Sequence, residues 1–194
     1  MAKLTRSEPY LRLFAQHGDS PEAVAWSVHA QRFRFEKLCE IGPLAGAKIL
    51  DVGCGLGHLY PFLVEKFGEV DYHGVDIVPE MVAHAAKRLP GRVWCQDITE
   101  TPLKGRYDYV LISGVFNIKD GPPLAFMATL IQAAWERCDI ALGFNFLSAY
   151  ANFYDDGLAY YKPQDVFDFA VMLTPKIVLH HHYERTDTAV FLYR

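Results

Sequence analysis

A glycine-rich loop between a short apolar strand and a helix is the feature that most restricts the fold of this chain. The segment Lys48–Val52 is predicted to be a strand, and Gly53, Gly55 and Gly57 follow it directly. Glycines at such a turn let the backbone bend sharply and let a ligand lie against the main chain. The loop therefore predicts a ligand site at the carboxyl end of a strand.

Strand and helix patterns alternate along the chain on both sides of this loop. Further strands are predicted at residues 72–75, 92–95, 107–113, 139–146, 176–183 and 189–193. Helices are predicted at about residues 21–39, 56–66, 79–88, 122–136 and 164–173. The last two strands lie too close in sequence for a helical crossover, so we expect an antiparallel hairpin. The pattern predicts an α/β, Rossmann-like, doubly wound sheet of seven strands, mostly parallel with an antiparallel C-terminal hairpin strand.

The length and composition favour a single domain over residues 1–194. The chain has 194 residues, of which 51% are hydrophobic, and this is enough for one core. Residues 1–44 are expected to form an N-terminal helical lid segment, and residues 45–194 the Rossmann-like core. Within that core, the tyrosine-rich loop 149–162 is expected to help form the substrate pocket.

Charge, hydropathy and cysteine spacing narrow the class of partner and the compartment. The formal net charge is −4 and no run of Lys and Arg occurs, so neither a nucleic-acid partner nor a membrane surface is expected. The chain shows neither a signal-peptide pattern nor an apolar stretch of the roughly 18 residues that a membrane span needs. The four cysteines lack metal-binding spacing and indicate free thiols. We therefore expect a cytoplasmic protein, as a monomer or homodimer.

The spacing of the loop glycines favours one class of ligand over another. The dinucleotide fingerprint G-x-G-x-x-G requires a small residue at the position where this chain has His58. An imidazole there argues against close packing of a pyrophosphate. An NAD(P) or nucleotide-sugar enzyme of similar fold is therefore disfavoured.

Acidic residues follow the next two predicted strands. Asp76 ends the second strand, where a carboxylate can accept hydrogen bonds from ribose hydroxyls. The alternative is that Asp76 caps the helix that begins at Pro79. Asp97, after the third strand, can accept from an exocyclic amine, and Ile98 offers an apolar wall to a purine. These residues predict a site for a ribose and a purine.

Four segments in this order resemble the motifs of class I S-adenosylmethionine-dependent methyltransferases. They are Ile49–Gly57, Gly74–Ile77, Gln96–Ile98 and Tyr107–Ile112. The resemblance covers about residues 45–194 and implies a transferase that binds S-adenosylmethionine across the carboxyl ends of its strands. The alternative is a non-catalytic S-adenosylmethionine-binding protein with a regulatory or assembly role.

The resemblance also implies roles for individual residues. The residues expected to contact the cofactor are Asp51, Gly53, Gly55, Ser113 and Gly114 at the methionine part, Gly57 and Asp76 at the ribose, and Ile77, Asp97 and Ile98 at the adenine. Gln31 is a further candidate, because it interrupts the apolar stripe of the predicted helix 21–39. It either bonds to neighbouring backbone or faces the cofactor or substrate.

No catalytic dyad and no metal site are expected. The sulfonium cofactor is itself a strong electrophile, so the enzyme must mainly align the acceptor and exclude water. Weak candidates for a catalytic group are His17, His29, His58 and Tyr154. The run 180–182 consists of histidines on a predicted strand, where the middle one faces away from its neighbours, so it does not indicate a metal site.

The acceptor is expected to be a small molecule that is methylated on oxygen or nitrogen. The segment 113–117 lacks the two prolines that nucleic-acid amino methyltransferases usually carry after the fourth strand. The N-terminal segment, with His17, Trp26 and Gln31, and the loop 149–162 are expected to close the acceptor pocket. Such a pocket combines aromatic walls with a few hydrogen-bonding groups. The alternative for loop 149–162 is a surface loop with its aromatic side chains folded beneath it.

Overall fold

The computed structural model describes residues 2–119 and 122–194, with the backbone alone for residues 2–5. The strands are β1 (Lys48–Val52), β2 (Asp71–Asp76), β3 (Val93–Cys95), β4 (Tyr107–Ile112), β5 (Cys138–Ser148), β6 (Tyr160–Tyr161), β7 (Ile177–His180) and β8 (Asp187–Tyr193). The helices are α1 (Ala2–His17), α2 (Val28–Leu38), α3 (Leu59–Phe67), α4 (Pro79–Ala85), α5 (Pro123–Trp135) and α6 (Pro163–Val171), with 3₁₀ turns at Pro21–Val24 and Cys39–Ile41.

The described strands form one sheet in the order β3-β2-β1-β4-β5-β8-β7. Neighbours from β3 to β5 are parallel, and β8 is antiparallel to both β5 and β7. This confirms the predicted seven-strand sheet with its antiparallel C-terminal hairpin. The two-residue strand β6 is an addition, because β5 extends past the end of β4 and offers Leu147 and Ser148 as an open edge.

The pleat of the strands divides the core between the two faces of the sheet. Leu50 and Val52 of β1 pack with buried residues of α5 and α6, whereas Ile49 packs with buried residues of α2 and α3. Successive side chains of a strand point to opposite faces, so a strand with helices on both sides is apolar throughout. The doubly wound arrangement follows from this pattern.

The N-terminal segment differs from the prediction of one helix over residues 21–39, which is wrong. Ala25 has a left-handed backbone (φ 64°) and ends the first 3₁₀ turn, and Ser27 then caps α2 by accepting a hydrogen bond from the Ala30 N–H (3.2 Å). Val28, the first residue of α2, is 63% exposed. The break turns Trp26 out of the helical register. Within the described part of the chain, no helix is long and apolar enough to cross a membrane.

Candidate active site

A cavity lies between the carboxyl ends of the central strands and the N-terminal segment. Its floor is formed by the loops after β1, β2, β3 and β4, and its roof by side chains from α1, the first 3₁₀ turn and α2. A crevice outside the carboxyl ends of the strands is where open α/β sheets bind ligands. The roof side chains are Arg6, Tyr10, Val24, Trp26, Gln31 and Arg34.

Two glycines keep the floor of this cavity free of side chains. Gly53 has a φ of 76°, and a Cβ there would lie 2.2 Å from the Val115 Cγ2 atom. Gly114 has a φ of 73°, and a Cβ there would lie 3.0 Å from the Trp26 Nε1 atom. L-residues avoid this backbone region, so both positions require glycine. The exposed backbone is a cradle that fits the closely approaching methionine part of S-adenosylmethionine.

Asp51 places a buried carboxyl group in the lining of the cavity. It accepts a hydrogen bond from the Tyr72 hydroxyl (2.7 Å) and is only 3% exposed. Burial raises its pKa to about 7, and the nearby Asp76 carboxylate adds to this effect. A cation next to the carboxyl group would stabilise its charged form. The group therefore fits the ammonium end of a cofactor.

Asp76 accepts hydrogen bonds from the glycine loop and from the residue before α4. One carboxylate oxygen accepts a hydrogen bond from the Gly55 N–H (2.7 Å), and the other accepts from the Val78 N–H (2.9 Å) at the start of α4. The side chain also lines the cavity, and burial raises its pKa. Asp76 thus ties the glycine loop to α4 and stands at the place predicted for a ribose.

The remaining predicted cofactor residues are also brought to the cavity, with one exception. Those that line it are Gly55, Ile77, Asp97, Ile98, Ser113 and Gln31. Asp97 also makes a turn, since one of its oxygens accepts from the N–H (2.9 Å) and the hydroxyl (2.6 Å) of Thr99. The exception is Gly57, which is not among the described residues that line the cavity. A Cβ there would lie 2.6 Å from the Leu89 Cδ1 atom, so Gly57 permits close packing against the chain after α4.

The structure places one of the three histidine candidates for a catalytic group at the cavity and the other two away from it. His58 lines the cavity, with its Nε2 atom 2.9 Å from Asp19 Oδ1. His17 and His29 are exposed, and the structure does not bring them to the cavity lining formed by the described residues.

The tyrosine-rich loop contributes less to the cavity than the sequence suggested. Tyr154 is 54% exposed, packs against Tyr160 and donates its hydroxyl to the Ala149 carbonyl, and the structure does not bring it to the described lining of the cavity. Tyr161 is the member of loop 149–162 that reaches the cavity, with its hydroxyl donating to the Phe116 carbonyl (3.0 Å).

The histidine run forms ordinary side-chain contacts. His180 lies beside Glu40, and His181 shares a hydrogen bond with the buried Ser148 hydroxyl (2.7 Å). Across residues 2–119 and 122–194, no cluster of three side chains suited to a metal ion occurs.

Several lining residues escaped the sequence analysis. They are Arg6, Tyr10, Arg34, Phe35, Val115, Ile118, Pro123, Phe126 and Leu130. Of these, Arg34 could have been predicted from the sequence, because it lies three positions after Gln31 and so shares its helix face. A second polar residue on an apolar stripe indicates a buried polar site. The residues of α1 and α5 carried no such signal.

A mostly parallel sheet in this strand order, with an antiparallel C-terminal strand, a cavity across its ends and a glycine cradle after β1, is typical of S-adenosylmethionine-dependent methyltransferases. Comparisons with known proteins agree. Residues 49–135 match a family model described as a methyltransferase domain. The putative methyltransferase Rv1506c of Mycobacterium tuberculosis (strain ATCC 25618 / H37Rv) is 32% identical over 142 residues, which are 70% of this chain and 86% of that protein. The chain belongs to the class I S-adenosylmethionine-dependent methyltransferases, and S-adenosylmethionine is its cofactor.

Solved structures share the fold at low sequence identity. Magnesium protoporphyrin IX methyltransferase from Synechocystis PCC 6803 with bound S-adenosylmethionine has a TM-score of 0.69 and 19% identity, covering 100% of this chain and 97% of that one. The sugar N-methyltransferase KedS8 from Streptoalloteichus sp ATCC 53650 has a TM-score of 0.67 and 18% identity, covering 95% and 92%. The small RNA methyltransferase HEN1 has a TM-score of 0.66 and 16% identity, covering 88% of this chain and 26% of that one.

Proposed function

We propose that the protein transfers a methyl group from S-adenosylmethionine to an oxygen or nitrogen atom of a small molecule bound beneath the N-terminal segment. The observation that carries this proposal is that two unlike sets of residues line the cavity. One set is backbone and carboxylates of the strand ends, and we infer that it forms a polar half. The other set is mostly apolar and aromatic side chains from the roof, α5 and Tyr161, and we infer that it forms an apolar half. A mostly apolar pocket with a few polar groups suits a small organic molecule.

The polar half is assigned to the cofactor. Asp51 would hold the ammonium group above the cradle of Gly53 and Gly55, and Asp76 would accept from the ribose hydroxyls. Ile77 and Ile98 would enclose the adenine, with Asp97 near its amine. The bound cofactor supplies an electrophilic methyl group, and the protein contributes alignment of the acceptor and exclusion of water.

The apolar half is assigned to the acceptor. Its walls include Val115 and Ile118 from the loop after β4, and Phe126 and Leu130 from α5. Gln31 adds a hydrogen-bonding group within this half. Two structural neighbours are named as acting on a porphyrin and on a sugar, which supports a small molecule, whereas HEN1 is named as acting on small RNA.

The experiment is an acceptor screen with methyl-labelled S-adenosylmethionine. The protein is incubated with small-molecule, protein and RNA fractions of a cell extract, and label is followed into each. We expect label in the small-molecule fraction, and an Asp51→Ala variant serves as the cofactor-deficient control. Label in RNA or protein would reject the small-molecule acceptor. Tight cofactor binding without transfer to any fraction would instead support the non-catalytic alternative.

A further inference from the structure

We propose that the Trp26 indole is the wall against which the methyl acceptor binds, and that the buried ion pair of Arg34 and Asp187 holds this indole in place. The inference deepens the proposed function, since it concerns the acceptor of that same reaction. It identifies an acceptor with a flat aromatic or unsaturated group beside the methylated atom. Trp26 is the specificity-determining residue, and Arg34 and Asp187 are positioning residues.

Trp26 stands at the carboxyl end of β4. A Cβ built on Gly114 would lie 3.0 Å from the indole Nε1 atom, so the indole occupies the space that a side chain would fill. Gly114 is itself fixed, because its N–H donates to the buried Asn145 Oδ1 atom (2.8 Å). Gly114 and Ser113 line the floor of the cavity beside the Gly53 cradle. An indole in this place lies beside the backbone that is assigned to the methionine part of the cofactor.

Arg34 stacks on the indole from the side of α2. Its guanidinium carbon lies 3.5 Å from the centre of the Trp26 ring, and one nitrogen donates to the Ala30 carbonyl (3.2 Å). Another nitrogen forms an ion pair with the Asp187 carboxylate at the start of β8. The three side chains thus connect the roof of the cavity to the C-terminal hairpin.

The cost of this ion pair indicates a role beyond stability. Both side chains are buried, with 8% and 2% of their surface exposed. Burying two charges costs several kcal/mol in effect, and apolar residues of similar size are often as stable. The Arg34 Nε atom is buried without a hydrogen-bond partner among the described atoms, which adds to the cost. A planar guanidinium, however, holds an aromatic ring face to face in a way that an apolar side chain does not.

The surroundings of Trp26 define the chemistry of the acceptor. The indole shares the cavity with Phe35 from α2, with Val115 and with Phe126 from α5. Flat aromatic surfaces favour flat ligands, since ring pairs attract each other beyond the effect of the area they bury. A flat apolar group can therefore lie along Trp26 while the atom beside it faces the cofactor half.

The test separates acceptor binding from cofactor binding in the full chain. The variants are Trp26→Phe, Trp26→Ala and Arg34→Lys, with Trp94→Phe as the matched control because Trp94 is 42% exposed on β3. Affinity for S-adenosylhomocysteine is measured by calorimetry. The dye 1-anilinonaphthalene-8-sulfonate, an aromatic anion that binds apolar pockets through its rings, is titrated into the S-adenosylhomocysteine-loaded protein, and kcat and KM are measured with the acceptor from the labelled screen.

We expect S-adenosylhomocysteine affinity to stay within about threefold in all four variants, because the cofactor half is untouched. Trp26→Ala should weaken the dye and raise the acceptor KM by at least about tenfold, and Trp26→Phe should change both by less than about threefold, since a ring is kept. Arg34→Lys keeps the charge but loses the planar stack, so it should raise KM about three- to tenfold at nearly unchanged kcat. Trp94→Phe should match the wild type.

Three results would overturn the inference. Trp26→Ala with wild-type dye binding and KM would remove the indole from the acceptor site. A loss of S-adenosylhomocysteine affinity as large as the loss of dye binding would assign Trp26 to the cofactor. If the wild-type protein bound neither the dye nor any acceptor, Trp26 would not be accessible to a ligand. A further result separates the two proposals. If the dye binds in a way that depends on Trp26 but the protein methylates no acceptor, the proposed function is wrong and the role of Trp26 as a binding wall is kept.

Discussion

The floor and the roof of the cavity are held in place in different ways. The floor belongs to the sheet: the N–H groups of Gly53 and Cys54 both donate to the Val75 carbonyl (2.8 and 3.0 Å), and large buried clusters lie on both faces of the strands. The part of the roof before α2 packs on a small apolar cluster, where Phe14 meets residues of the glycine loop and α4. We infer from this difference that the roof can loosen while the sheet stays intact.

The roof is also fastened by one acidic residue. Asp19, in the turn after α1, lies 2.9 Å from the His58 ring, 3.1 Å from the His84 ring and 2.7 Å from the Arg88 guanidinium. These partners lower the pKa of Asp19 against the effect of its partial burial. Floor changes should therefore affect cofactor affinity and stability together, and roof changes should affect binding rates and the acceptor.

The largest effect is expected from Gly53→Ala, which puts a methyl group into the floor. The left-handed backbone costs a non-glycine residue about 1–2 kcal/mol, and the clash with Val115 adds about 1–3 kcal/mol. Both costs lower the free energy of unfolding. Because the methyl group also displaces the loop on which the cofactor lies, we expect cofactor affinity to fall on the order of 100-fold, measured by calorimetry. Gly91→Ala is the control, since its φ is 72° but nothing lies within 4 Å of its Cβ position. Equal losses in both variants would show that strain alone, and not the cradle, is responsible.

Asp76→Ala should give the next largest effect. Removing the carboxylate takes away the predicted ribose contacts, and we expect cofactor affinity to fall by about 2–4 kcal/mol. It also leaves two backbone N–H groups without their acceptor, so the free energy of unfolding should fall by about 1–3 kcal/mol. Asp71→Ala, at the other and exposed end of β2, is the control. A dissociation constant that is unchanged in Asp76→Ala would place the ribose elsewhere.

The raised pKa of Asp51 predicts that protein stability and cofactor affinity depend on pH. Burial raises this pKa to about 7, so between about pH 4 and pH 7 the folded protein holds a proton that the unfolded chain has lost. Stability of the ligand-free protein should therefore fall as pH rises through this window. An ammonium group favours the ionised form, so S-adenosylhomocysteine should bind about tenfold tighter at pH 8 than at pH 6.

Two controls isolate this effect. Adenosine lacks the ammonium group, so its affinity should change little over the same range of pH. Asp51→Asn should flatten the profile for S-adenosylhomocysteine. A profile that is equally steep in Asp51→Asn would assign the titration to another group.

The smallest effect is expected from removing the Asp19 side chain, which holds the roof to His58, His84 and Arg88. Asp19→Ala removes contacts that are partly exposed to water, with 29% of the Asp19 side chain accessible, so each contributes little. We expect S-adenosylhomocysteine to dissociate about three- to fivefold faster, with the thermal midpoint nearly unchanged, in stopped-flow and melting experiments. Glu8→Ala, which breaks an exposed ion pair within α1, is the control. If Asp19→Ala lowered stability as much as a floor variant does, the roof would be part of the core.

The floor could be predicted from the sequence because its residues follow buried strands directly. Asp76 and Asp97 were found in this way, since a strand of known direction fixes where the next residue lies. The place of Gly57 was missed because one step along the tight turn moves a residue from the cavity to the packing against Leu89. Local pattern alone does not distinguish these two sides of a turn.

The roof could not be predicted in the same way, because distant residues assemble it. The break at Ala25 has no sequence signal, since alanine does not favour a left-handed backbone. The stack of Arg34 on Trp26 depends on Asp187, which lies at the far end of the chain. Tyr154 resembled a pocket residue by type, but the loop folds onto its own aromatic side chains.

Hydrogen–deuterium exchange with and without S-adenosylhomocysteine tests the central claim, that the strand ends hold the cofactor beneath the N-terminal segment. We expect the strongest protection at residues 51–58, 76–78, 96–98 and 113–115, and weaker protection across α1. The α6 helix and the strand β7 should exchange alike in both states. Binding that leaves the four strand-end segments unprotected, or that protects the C-terminal hairpin instead, would contradict this account.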